Sequence, residues 1–167
     1  ASAGAIELLM QLARSDDAAL KLAAVETIRC LVTNHKDNQT AAASAGAFEL
    51  LMQLGRTDNA EIQRAAVASL GNLVCLHQGN QTAAASAGAV EVLVELALSD
   101  NSALEIEANR SLKRLVLAHK GNQRAAFELL IQLARSGDAE IQLAAVASIG
   151  SLVDGSRENQ TTAASAG

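Results

Sequence analysis

Three histidines, His35, His77 and His119, recur 42 residues apart and raise the question of a metal ladder. Zinc needs ligand nitrogens at about 2.0–2.1 Å from one ion. Equivalent residues of stacked helical units stand on the order of 10 Å apart, so no single ion gathers the three. Each His instead reads as lying near the end of a long helix, where it suits the negative end of the dipole. No metal and no cofactor is expected. Asn38, Asn80 and Asn159 each open an Asn-Gln-Thr triplet, formally a glycosylation acceptor. All three share one phase at expected helix starts, where Asn caps well, and capping is the reading adopted.

Arg110, Lys113 and Arg114 fall at i, i+3 and i+4, on one face of an expected helix. Such a cluster suits a carboxylate, although Glu107, three residues before Arg110, makes an ordinary helix pair and a solvated face the plainer account. Nothing in the chain points to catalysis. It has no Gly-rich phosphate loop and no metal-spaced Cys pair, and no His nears a nucleophile except by repeat phase. The net charge of −5 argues against a dominant electrostatic grip on nucleic acid. Cys30 and Cys75 suit a reduced compartment. No basic-then-apolar leader opens the sequence, and uncharged stretches such as 38–48 fall short of the roughly 18 apolar residues of a membrane span. The expectation is a non-enzymatic, soluble, cytoplasmic or nuclear protein that touches neither membrane nor nucleic acid.

The elements that carry these residues are helical. Half of the residues are hydrophobic, much of that Ala, with no Pro, Trp or Tyr and only two Phe. This mixture favours helix over strand. The stretch "NQTAAASAGA" begins at Asn38 and again at Asn80, and "ASAG" occurs at Ala1, Ala43, Ala85 and Ala164. Self-similarity at such a period signals a solenoid. The repeats run at about 1–37, 38–79, 80–121 and 122–158, within one domain of 1–167, and 159–167 begins a further copy. The fourth period is five residues short. Apolar residues follow helical spacing: Phe48, Leu50, Leu51 and Leu54 in a medium helix, then Ile62, Ala66, Leu70, Leu73 and Val74 in a long one. Gly46 and Gly88 are expected to stop a short first helix. Asp58 and Glu61 read as a capping box for the long one.

The Asn-initiated short helix ending in Ala-Gly-Ala, then "FELLMQL", the polar turn "TDNAE" and "IQRAAVASLGNLV" together resemble the armadillo repeat, over the whole chain. The resemblance implies an all-α solenoid, a right-handed superhelix whose third helices line a concave groove for extended peptides or protein surfaces. In the family an Asn on the third helix often holds the peptide backbone, with a Trp one turn earlier. Here Cys30, Asn72, Arg114 and Ser151 fill the Asn phase, and Glu26, Ala68, Arg110 and Ala147 fill the Trp phase. Only Asn72 matches. With no Trp anchor, basic nuclear-localisation peptides are not the implied ligand. A segment of acidic character facing Arg110 and Arg114 is.

The missing residues are an Ala-Ser-Ala-Gly-Ala block, so the fourth repeat is expected to run as one helix from Asn122 to about Arg135, similar to a HEAT repeat. Five helical residues turn through about 500°, so the fusion cannot keep the regular geometry by simple shortening. Two outcomes are foreseen: a distorted twist between repeats three and four, or apolar surface uncovered along Leu112, Leu115 and Val116. Asn109 fills the phase of Val25, Val67 and Val146, and should be buried with its amide bonded to backbone near 119–125 or to a trapped water. A rival reading takes the chain as a structural or engineered scaffold that forms a homo-oligomer through the shortened repeat or through ends that lack polar caps.

Overall fold

The structure, a computed structural model, describes residues 2–166, with side chains from Gly4 onward. Ala1 and Gly167, which enter the expectation of uncapped ends, lie outside the described residues, as do the side chains of Ser2 and Ala3. Among the described residues there are eleven helices and no strand, arranged as an all-α solenoid. They are α1 (Ser2–Leu12), α2 (Ala18–Val32), α3 (Lys36–Ser44), α4 (Ala47–Leu54), α5 (Ala60–Val74) and α6 (Gln78–Ser86), then α7 (Ala89–Ala97), α8 (Ser102–Val116), α9 (Lys120–Ala134), α10 (Ala139–Val153) and α11 (Arg157–Ser165).

The long helices α2, α5, α8 and α10 begin on a side-chain cap. Asn59 Oδ1 accepts from Glu61 N and Ile62 N, both at 3.1 Å, and Asp17, Asn101 and Asp138 do the same work for their helices. The expected cap Asp58 is therefore displaced by one residue: Asn59 has the extended backbone that a cap requires, and no capping box forms. Gly46 and Gly88 adopt φ of +81° and +90°, turning the chain sharply from α3 into α4 and from α6 into α7.

The short helices are capped differently from the sequence expectation. His35, His77 and His119 are themselves the N-caps of α3, α6 and α9, each accepting through Nδ1 from the amide of Asn38, Asn80 or Asn122. Ser156 takes this place before α11. The imidazoles thus face the positive end of the following helix rather than the negative end of the preceding one. Nε2 of His77 lies 3.0 Å from Thr40 Oγ1 and that of His119 lies 2.9 Å from Thr82 Oγ1, one repeat upstream. Each of these hydroxyls donates to a backbone carbonyl, so the Nε2–H tautomer completes both chains.

Because the caps sit three residues earlier, the Asn side chains are released for other work. Nδ2 of Asn38, Asn80, Asn122 and Asn159 donates to the penultimate carbonyl of the preceding long helix: Leu31, Leu73, Leu115 and Leu152. Asn80 and Asn122 also reach back to Gln39 O and Gln81 O on the previous short helix. Gln39 and Gln81 reach forward, Nε2 donating to Asn72 O and Cys75 O, and to Arg114 O and Leu117 O. The last carbonyls of a helix have no partner within it. Here the neighbouring repeat supplies one.

The shortened repeat forms a continuous α9, as expected, with no break between Gly121 and Ala126. Leu112, Leu115 and Val116 are fully buried, which overturns the expectation that they would be uncovered. The deletion leaves His119, Asn122 and Gln123 in place, so the seam to α8 closes normally. Damage falls downstream. Gln123 Nε2 makes no bond to the end of α10, and Lys113 Nζ takes Asp154 O at 2.8 Å instead. Ser69 Oγ and Ser111 Oγ lock α5 to Val25 O and α8 to Val67 O, but Ser148 Oγ, the equivalent on α10, is buried without a partner. Asn109 is buried as expected, yet its Oδ1 also has no partner and no bond to 119–125 forms. α10 is pinned to α8 at its C-terminal end and parts from it at the other. α8 and α10 are in looser contact than α2 and α5 or α5 and α8.

Asn80→Ala removes two buried bonds and should cost about 2 kcal/mol in urea denaturation, whereas Asn159→Ala, with one, should cost about half as much. Leu76 sits at φ +55° with its side chain exposed. Leu76→Gly should raise the melting temperature, because the left-handed penalty of about 1–2 kcal/mol exceeds the entropic cost of glycine.

Candidate functional site

The open face of α2, α5 and α8 gathers most of the residues singled out by phase. Asn72 Nδ2 donates to Thr33 Oγ1 at 2.8 Å, and Arg114 Nη1 donates to Asn72 Oδ1 at 2.9 Å. Thr33, Asn72 and Arg114 therefore form one polar row across three helices. Both ends of the Asn72 amide are occupied. One turn closer to the helix starts, Glu26, Ala68 and Arg110 surround a hollow of about 230 Å³ together with Arg29, Arg64 and Glu107. Glu26 pairs with Arg29 at 2.6 Å, and Arg110 with Glu107 at 2.7 Å. The hydrogen bond that Arg29 donates to the Glu26 carboxylate holds its guanidinium above its ordinary pKa.

Two residues of the expected set stand apart. Cys30 is an exposed thiol, and Ser151 lies half-buried on α10, the helix that leaves the stack. The repeat phase left Thr33, Arg29 and Arg64 out of the expected set. Arg64 was within reach, since it precedes Ala68 by one turn on the same face. Glu107 was read as the helix partner of Arg110, and that pair forms, although its phase, held by Ala65 and Ala144 in the adjoining copies, reads as core. Together these helices present the guanidiniums of Arg29, Arg64, Arg110 and Arg114 against the carboxylates of Glu26 and Glu107. The face has a cationic excess of two. Among the described residues no group of three His, Cys, Asp or Glu side chains could hold a metal ion, and no helix is long and apolar enough to cross a membrane.

Similar folds occur among solved structures. Two engineered proteins from the Northeast Structural Genomics Consortium superpose with TM-scores of 0.74 and 0.75 at 26% and 27% identity. The superposition covers 96% and 98% of this chain, and 67% and 41% of theirs. A designed armadillo repeat protein, solved in complex with the peptide (KR)4, matches at TM-score 0.69 and 20% identity, over 98% of this chain and 70% of its own. The fold is that of an armadillo repeat array. No protein-family profile matches the chain, and no curated protein matches it by sequence.

In this array the open face is self-paired, and its pairs differ in depth. The Glu107 side chain is only 12% exposed, whereas that of Glu26 is 39% exposed. Arg110→Ala strands a buried carboxylate and should cost about 2 kcal/mol, against about 0.5 for Arg29→Ala. Adding Glu107→Ala to Arg110→Ala should recover most of the loss. Equal costs for the two Arg substitutions in urea titrations would contradict this reading.

Proposed function

We propose that the chain is a non-enzymatic peptide-binding armadillo module whose open face, around Asn72, Arg110 and Arg114, takes an extended segment of acidic character. The cationic excess of that face carries the reading. Arg64 and Arg114 reach it without a carboxylate partner, since neither enters an ion pair among the described residues. The armadillo neighbour solved with (KR)4 supports a peptide as the class of ligand. The charge balance here favours the opposite sign. Asn72 contributes through Arg114, whose guanidinium it orients, and a ligand amide can replace Thr33 on Asn72 Nδ2.

No Trp or Tyr exists in the chain, so the usual aromatic anchors are missing and affinity is modest. Self-association, the rival reading, is not supported along Leu112, Leu115 and Val116, which are buried.

Anisotropy of labelled eight-residue peptides decides the matter. An alternating Glu-Asp peptide should bind with a dissociation constant of roughly 10–100 μM, and Arg64→Ser with Arg114→Ala should weaken it about tenfold. Both substitutions lie on exposed or half-exposed side chains and spare the Glu107 pair. Tighter binding of an alternating Lys-Arg peptide, unaffected by the double variant, would overturn the reading.

A further inference from the structure

Where α8 and α10 part, they leave a cleft of about 580 Å³. At the regular junction of α5 and α8 the corresponding hollow measures about 110 Å³ and is bordered by Arg64. The enlarged cleft differs in chemistry as well as size. Its floor is apolar, with Leu98, Ile141 and Ala144, and Leu143 projects at its edge, 73% exposed. Ile141 is only half-buried, although its counterparts Ile62 and Leu104 are 3% and 2% exposed in the closed junctions. Its rim carries Asp100, Glu105, Asp138 and Glu140, and no Lys, Arg or His lines it. None of the four carboxylates joins an ion pair among the described residues.

We propose that this cleft binds a cationic, apolar peptide segment, seating aliphatic side chains between α8 and α10 and flanking Lys or Arg side chains on the carboxylate rim. Charge complementarity selects the occupant. The N-termini of α8 and α10 both open here and contribute about half a positive charge each, which offsets one carboxylate of the four. Asp138 is the one so engaged, its Oδ1 accepting from Glu140 N and Ile141 N. Asp100, Glu105 and Glu140 are left facing the mouth without cations of their own. A purely polar cation would leave the apolar floor wet, and a purely apolar ligand would desolvate the rim. Only a ligand with both features satisfies the site. The open face selects the opposite charge, so the two sites are separable.

The test titrates the full chain with labelled KKLLKK peptide, using KKSSKK and EELLEE as controls. KKLLKK is expected to bind at least about tenfold more tightly than either control. Leu143→Ser, on an exposed side chain, should weaken it about fivefold, and so should Glu105→Gln with Glu140→Gln. Arg64→Ser with Arg114→Ala should leave it unchanged. Inserting Ala-Ser-Ala-Gly-Ala between Ala126 and Phe127, with the helical circular dichroism retained, should abolish binding by restoring a closed junction. Equal binding of KKSSKK would reduce the effect to surface charge and overturn the proposal. Indifference to Leu143→Ser, loss in the Arg64 and Arg114 variant, or no binding at about millimolar peptide would overturn it equally.

Discussion

The regular part of this molecule hangs on two amide side chains per repeat. Asn80 and Gln39 donate four hydrogen bonds, three of them to carbonyls at the end of α5 and one to α3. At roughly 1 kcal/mol net for each, that seam contributes about 4 kcal/mol, comparable with burying two large aliphatic side chains. It also costs more to break than to form, because a helix end stripped of its partner leaves dry carbonyls. The hydrophobic faces stack the helices, but they tolerate sliding. The amide seam does not, since it fixes which residue of one repeat meets which carbonyl of the next.

That distinction explains where the five-residue deletion is felt. The seam between repeats three and four depends on His119, Asn122 and Gln81, all upstream of the cut, and survives intact. The seam onto α10 depends on where Gln123 stands relative to the end of that helix, and the fused α9 carries it out of reach. Lys113 then supplies a single bond to Asp154 O. One bond at one end acts as a pivot. The regular stack is held at two levels along its long helices, by the serine locks within them and by the amides at the C-terminal ends. With the lock and most of the seam removed, α10 is held to α8 less closely, and Ile141 is half-buried where its counterparts Ile62 and Leu104 are buried.

Much of this was legible in the sequence, because period and apolar spacing are properties of the chain itself. The helices, the glycine turns at Gly46 and Gly88 and the fusion of α9 follow from local chemistry. The cap assignments did not, and the reason is instructive. Asn is a good cap and stands at a helix start, so Asn38 reads as one; but a His three residues earlier caps through Nδ1, and the Asn turns to the preceding helix. Local propensity cannot rank two competent cap acceptors when the side chain that loses the cap, Asn, finds its partner on the preceding long helix. The pairing of Asn72 with Thr33 and Arg114 was hidden for the same reason, since it joins residues 39 and 42 positions away. Exposure of Leu112, Leu115 and Val116 was inferred from what the deletion removes, without regard to which seam the remaining residues still close.

An array whose units touch only their neighbours is as cooperative as its weakest junction. Here that junction lacks the serine lock, since Ser148 Oγ, whose counterparts Ser69 and Ser111 bond to the preceding long helix, is buried without a partner. It also lacks the N-terminal half of the long-helix contact. Local opening should therefore begin with α10 and α11 while α2, α5 and α8 stay closed, so that amide exchange in α10 outpaces that in α5. The open face sits on the rigid side of this boundary and the acidic cleft lies across it. A ligand on the open face meets a preorganised surface and reads out its side chains. One that fills the cleft must also fix the angle between two bodies, so its affinity includes the cost of stopping that motion. For a ligand in the cleft, binding and the closure of the α8–α10 junction would be one equilibrium.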